Sequence, residues 1–173
     1  MYLRSILSLL TVSVLSGCLV SEPTRFVAQS GVDKSFPYSW NCAADQEKTA
    51  KDANWKTAIV VEETIKDEIY QLGLLTLQVG KPHIIKIVNE DDTTRSFRAP
   101  VLFGKSSILK VIHEGKEVVA PCLKAVAVSA KKTSEIHLVP LETGYFDYHE
   151  TFLVAPMLTE ITTNGAVGLA YVY

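Results

Sequence analysis

Residues 75–89 read Leu75-Thr76-Leu77-Gln78-Val79-Gly80-Lys81-Pro82-His83-Ile84-Ile85-Lys86-Ile87-Val88-Asn89. Leu74 to Val79 is one strand candidate, and Gly80-Lys81-Pro82 is turn chemistry. From His83 to Val88 isoleucine alternates with other residues, and the run stops at Asn89-Glu90-Asp91-Asp92. Working outward, Thr57 to Val61 is β-branched and apolar, a further strand candidate. Lys124 to Val128 and Glu135 to Val139 flank the polar stretch Ala130-Lys131-Lys132-Thr133, which predicts a hairpin. Tyr145 to Tyr148 follows, Asn164-Gly165 is a turn signal, and Ala166 to Tyr173 closes the chain as a strand. Many short strands with Gly, Pro, Asn and Asp punctuation, and no long helical period, predict an all-β sandwich or barrel.

The N-terminus belongs to a different class. Arg4 stands before the apolar run Ile6 to Leu15, a charged start and short core of a secretory signal. The run is shorter than the roughly 20 residues needed to span a bilayer. It ends in Leu15-Ser16-Gly17-Cys18, which resembles the bacterial lipobox. The resemblance implies that residues 1–17 are a signal peptide and that Cys18, as first residue of the mature chain, carries the lipid. Small residues admit the peptidase, and the thiol accepts the diacylglyceryl group. Several acyl chains at one site anchor stably, each buried CH₂ contributing roughly 0.8 kcal/mol. Leu19 stands where an Asp would retain a Gram-negative lipoprotein in the inner membrane, which favours the outer membrane if there is one.

Removing 17 of 173 residues leaves 156, enough for one domain with a core. The full chain has 17 basic and 19 acidic side chains; loss of Arg4 leaves 16 against 19, a net charge of −3. That balance argues against nucleic acid as partner, which calls for a basic face. Residues 18–39, rich in Ser, Glu, Pro, Gln and Gly, read as a lipidated tether. Residues 40–54 read as an N-terminal extension able to hold a short helix. With Cys18 lipidated, Cys42 and Cys122 remain in an oxidising compartment. An intrachain Cys42–Cys122 disulfide is the expected pairing, and intermolecular bonds are the alternative.

Two stretches resemble the cupredoxin pattern. One is Leu75 to Val88 with Asn89, Phe97-Arg98-Ala99-Pro100 and Phe103. The other runs from Val139-Pro140 through Gly144-Tyr145-Phe146-Asp147-Tyr148 to Gly165-Ala166-Val167-Gly168-Leu169-Ala170-Tyr171-Val172. The resemblance covers roughly residues 55–173 and implies a cupredoxin-like Greek-key β-sandwich. A type 1 copper site in that family uses two imidazoles, a thiolate and a weak axial thioether. On the motif register, Arg95 takes the first His position, Glu150 the Cys position and Ala166 the Met position. These vestigial copper-site positions imply no copper cofactor and no metal site. A guanidinium and a carboxylate brought to one place can pair, so an Arg95–Glu150 ion pair is one expectation; two solvent-facing side chains is the other.

A second register keeps metal open, because His149 and Met157 are eight residues apart. Placing His149 in the Cys slot flips the strand and buries Asp147. The alternative is therefore a copper-handling or electron-transfer protein with an atypical site around His149 and Met157. His83, His113 and His137 form no ligand grouping and read as surface or strand-packing residues. Glu90-Asp91-Asp92 reads as a solvated strand end, with calcium as the competing use. No catalytic motif is present, so no enzymatic activity is expected. Residues 151–163 are apolar for a loop; Phe152, Leu153, Val154 and Met157 are the candidate surface for an envelope protein partner, or they fold back as core. The chain reads as a lipid-anchored, periplasm-facing, non-catalytic binding or assembly module.

Overall fold

The structure, a computed structural model, describes residues 31–33, 46–119, 123–150 and 165–173. Cys18, Cys42, Cys122, Phe152, Leu153, Val154 and Met157 lie outside the described residues, and so does Asn164 of the Asn164-Gly165 turn signal.

The elements run in the order β1 (Gly31–Asp33), α1 (Gln46–Asp52), β2 (Ile59–Lys66), β3 (Ile69–Tyr70), β4 (Leu74–Leu77), β5 (His83–Asn89) and β6 (Arg95–Arg98). Then come α2 (Pro100–Gly104), β7 (Ser106–His113), β8 (Lys116–Val118), β9 (Ala125–Val128), β10 (Thr133–Pro140), β11 (Gly144–His149) and β12 (Val167–Val172). They make a Greek-key β-sandwich. Sheet I has the order β1-β9-β6-β11-β12-β4, and sheet II the order β3-β2-β5-β10-β7-β8. Most neighbours are antiparallel; β2 with β5 and β12 with β4 are parallel.

The alternation in sequence explains which faces meet. On β5, Ile85 and Ile87 are buried while Ile84, Lys86 and Val88 are half-buried on the other side. Phe146 and Tyr148 of β11 point inward, between the exposed Tyr145 and Asp147. With Leu75, Leu77, Phe97, Leu102, Phe103, Ile136, Leu138 and Val172 they form one contiguous core. Each fully buried aliphatic or aromatic side chain contributes about 1.5–3 kcal/mol. Gly168 of β12 makes room for the largest of these residues: a Cβ there would lie 2.1 Å from Cζ of Tyr148.

Several expectations need correction. Residues 18–39 are not all tether, since Gly31–Asp33 pairs antiparallel with Ala125–Ala127 as an edge strand, satisfying backbone groups that β9 would otherwise leave open. The segments around Ala130–Thr133 do not form a hairpin: β9 lies in sheet I and β10 in sheet II, so the polar turn carries the chain across the sandwich. Trp55–Thr57 is a 3₁₀ turn, with Asn54 Oδ1 accepting from the Lys56 N–H at 3.2 Å, and the strand begins at Ile59. The hairpin β7–β8 and the helix α2, started by Pro100, were not foreseen. Helix α1 falls within residues 40–54 and docks on β7, where the Ala50 N–H donates to Ser107 Oγ at 2.9 Å.

Gly168→Ala is expected to destabilise the domain by about 2–3 kcal/mol through overpacking against Tyr148. Gly104→Ala, where a Cβ meets nothing within 4 Å, is expected to change stability by less than about 1 kcal/mol. Urea unfolding of the two variants checks the contrast; equal midpoints would refute it.

Candidate functional site

One end of the sandwich is held by polar groups buried between the sheets. Arg95 begins β6, and Glu150 follows the last residue of β11. Along β11 the inward parity runs Phe146, Tyr148, Glu150, so the carboxylate enters the interior on the same face as the aromatic core. Arg95 Nη1 lies 3.5 Å from Glu150 Oε2, and the two side chains are 7% and 3% exposed. The contact is ionic and long for a hydrogen bond; among the described residues Glu150 Oε2 has no hydrogen-bond partner. Ala166, also buried, accepts the Glu150 N–H at its carbonyl at 2.9 Å. The structure thus brings Arg95, Glu150 and Ala166 to one place.

Two further carboxylates share the guanidinium. Arg95 Nε donates to Asp91 Oδ2 at 2.7 Å and Nη2 to Glu68 Oε1 at 2.8 Å. Asp91 also accepts the backbone N–H groups of Asp67 at 2.7 Å and Glu68 at 3.1 Å. Asp67 and Glu68 have φ of 52° and 65°, a left-handed pair at the β2–β3 turn that would ordinarily call for Asn-Gly. The Asp91 carboxylate offsets that backbone strain. Asp91 therefore corrects the reading of residues 90–92 as a solvated strand end: its side chain is 11% exposed, drawn inward by Arg95 and the turn, while Asp92 remains outside.

A second buried carboxylate lies deeper. Glu63 on β2 accepts from Leu72 N at 2.9 Å, from Gly73 N at 3.2 Å, and from the Tyr148 hydroxyl. Tyr70 donates its hydroxyl to Ser96 O at 2.6 Å, with its ring edge-on to Tyr148 at 4.8 Å. Asn89 Nδ2 donates to the carbonyls of Thr93, Val128 and Ser129. Sequence reading missed Glu63, Glu68, Tyr70 and Tyr148 as members of this network. One signal was available, since Glu63 falls on the inward parity of Val61 and Ile65.

Electrostatics separate the carboxylates. Burial pushes Glu150 above its ordinary range, outweighing Arg95 and the Ser96 backbone N–H, which pull it down. Burial acts the same way on Asp91, but there the Glu68 and Asp67 N–H groups and Arg95 prevail and hold the carboxyl low. Burial raises Tyr148, assisted by its hydrogen bond to Glu63. The protein therefore keeps a proton more readily on Glu150 than on Asp91.

Chemically, Arg95, Glu150 and Ala166 offer one hard oxygen donor, a fixed cation and a methyl group. That set does not fit copper, which takes imidazole and soft sulfur donors. His149 faces away from Glu150, its Nδ1 3.4 Å from Asp147 Oδ2. His83 packs between Gln78 and Lys81, His113 accepts or donates at Ser134 Oγ, and the His137 ring lies tilted against Trp55 at 5.3 Å. Among the described residues no three His, Cys, Asp or Glu side chains gather to hold a metal ion.

No family model matches the chain, and no curated protein matches it. Among solved structures it is similar to a reduced proline-to-phenylalanine variant of amicyanin, at 18% identity over 72% of this chain and 89% of that chain, TM-score 0.38. It is also similar to the Cu(I) form of a methionine-to-alanine variant of amicyanin, at 17% identity over the same shares, TM-score 0.38. Auracyanin B is similar at 12% identity over 70% of this chain and 93% of that chain, TM-score 0.47.

Arg95→Met is expected to cost roughly 3–5 kcal/mol, because it strands buried Glu150 and part of Asp91. The double change Arg95→Met with Glu150→Met is expected to recover much of that loss; a double variant no more stable than the single one would refute the coupling. The pH dependence is a separate check. A raised folded-state carboxyl contributes stability that is present below its ordinary 4.5 and is lost as pH rises through the folded value. A lowered one contributes stability present above its ordinary 3.8 and lost as pH falls. Glu150→Gln should thus flatten the stability profile only above pH 4.5, and Asp91→Asn only on the acid side, as read by urea midpoints across the acid-to-neutral range.

Proposed function

We propose that this chain is a lipid-anchored cell-envelope protein whose sandwich is a non-catalytic binding or assembly module without a type 1 copper centre. The observation that carries the reading is the Arg95–Glu150 contact. Where the motif register puts two copper ligands, a guanidinium already supplies the positive charge. A metal cation there would meet that charge at close range, in a medium that screens it poorly. The lipobox at Leu15-Ser16-Gly17-Cys18 supports the anchor. The apolar residues Phe152, Leu153, Val154 and Met157, next along the chain from Glu150, supply the surface we propose for an envelope protein partner.

Mass spectrometry of the protein extracted from membranes is expected to find Cys18 as an acylated N-terminus. The purified protein, exposed to copper and dialysed, is expected to retain less than one equivalent and no intense blue colour, with His149→Ala unchanged. Stoichiometric copper that disappears in His149→Ala would overturn the reading in favour of a metal-handling protein.

A further inference from the structure

The outer face of sheet I carries half of the large apolar side chains that the described part of the fold leaves exposed, gathered on or just after three adjacent strands. On β11, β12 and β4 the outward positions pair across strands: Tyr145 with Tyr171, and Leu169 with Leu74. Tyr145 is 69% and Val167 70% exposed, and Tyr173 is about half exposed. The Tyr145 and Tyr171 rings stack at 4.7 Å and those of Tyr171 and Tyr173 at 5.8 Å, so the aromatics form one row. The outward positions of these strands hold Asp147 and His149 but no lysine or arginine, which disfavours a polyanionic ligand. An apolar patch of this kind marks an interaction surface. Tyrosine, apolar in body and polar at its tip, suits the boundary between water and lipid.

The chain also brings this face near a bilayer. Residues 19–30 are the twelve that separate Cys18 from β1; fully extended they span roughly 40 Å at most. β1 belongs to the same sheet, four strand positions from β12, or about 19 Å at ordinary strand spacing. Successive antiparallel pairings from β1 to β12 make Gly31 and Val167 begin at the same end of the sheet. A tether from the membrane thus enters the same sheet at the end where Val167 lies, with the tyrosine row towards the other end of β12, and holds the whole face at high local concentration over the lipid.

We infer that the outer face of β11, β12 and β4, through Tyr145, Val167, Leu169, Tyr171, Tyr173 and Leu74, docks the domain flat on the uncharged interfacial layer of the membrane that anchors it. The inference rests on the lipid anchor proposed above, and the test separates the two.

The full acylated protein is reconstituted in phosphatidylcholine vesicles, with and without brominated acyl chains, as Val167→Trp, as Leu169→Trp, and as Val60→Trp on sheet II, where the side chain is also exposed. Emission is read above the background of Trp40 and Trp55, after flotation and a check that each variant melts like the parent. Bromination is expected to quench the added emission of Val167→Trp and Leu169→Trp at least twofold and to leave Val60→Trp unchanged. Floated protein with no quenching at either sheet I reporter overturns the docking face and leaves the anchor standing. Tyrosine cross-links between copies, without quenching, overturn it in favour of a second copy of this chain. Protein that fails to float removes the anchor and the inference together.

Discussion

Arg95 carries a charge that it cannot shed, in a place that water barely reaches. Its surroundings are built to that demand. Glu68 comes from the β2–β3 turn and Asp91 from the segment after β5, both on the sheet II side; Glu150 comes from the end of β11 in sheet I. The guanidinium therefore ties together three segments far apart in sequence and clamps the two sheets at one end. The Glu63–Tyr148 and Tyr70–Ser96 bonds repeat the device a layer deeper, each joining a sheet II side chain to a sheet I strand. Away from this end, the sheets are held by aliphatic and aromatic contact. The polar end joins the two sheets through directional bonds, while apolar burial supplies most of the stability. Buried ion pairs add little to net stability and are costly to break.

The same network sets what the end of the sandwich can do. A site that bound a cation would need lone pairs facing an open position. Here the carboxylates face a guanidinium or backbone N–H groups, with Glu150 Oε2 the exception. Burial favours the protonated form of Glu150, while backbone N–H groups and Arg95 favour the charged form of Asp91, so the carboxyl groups around one arginine differ in how readily they hold a proton.

Much of this fold was legible before any coordinates. Leu74 to Val88 carries both the turn and the alternation that make β4 and β5, and Gly144 to Tyr148 shows by its parity that Phe146 and Tyr148 point inward. Counting from Gly144 put Glu150 on the interior face, and the Phe97 register put Arg95 opposite it; the structure has the two in contact. Other features were hidden for physical reasons. Ser106–His113 mixes serine, lysine and histidine with its aliphatics because α1 and β8 cover parts of it, so neither face is uniformly apolar. The Ala130–Thr133 turn looks like hairpin chemistry, yet local turn preference does not say which sheet the next strand joins. Asp91 and Glu63 are acidic residues whose burial depends on partners distant in sequence, and Glu68 is invisible as a partner until the turn that presents it exists.

The position of β12 has a temporal consequence. This strand follows β11 in the chain, yet it is inserted between β11 and β4, making parallel hydrogen bonds to a strand synthesised long before it. Until β12 is in place β4 has no partner in sheet I, and the sheet stops at β11. Such non-local closure slows folding relative to chains built from neighbouring contacts.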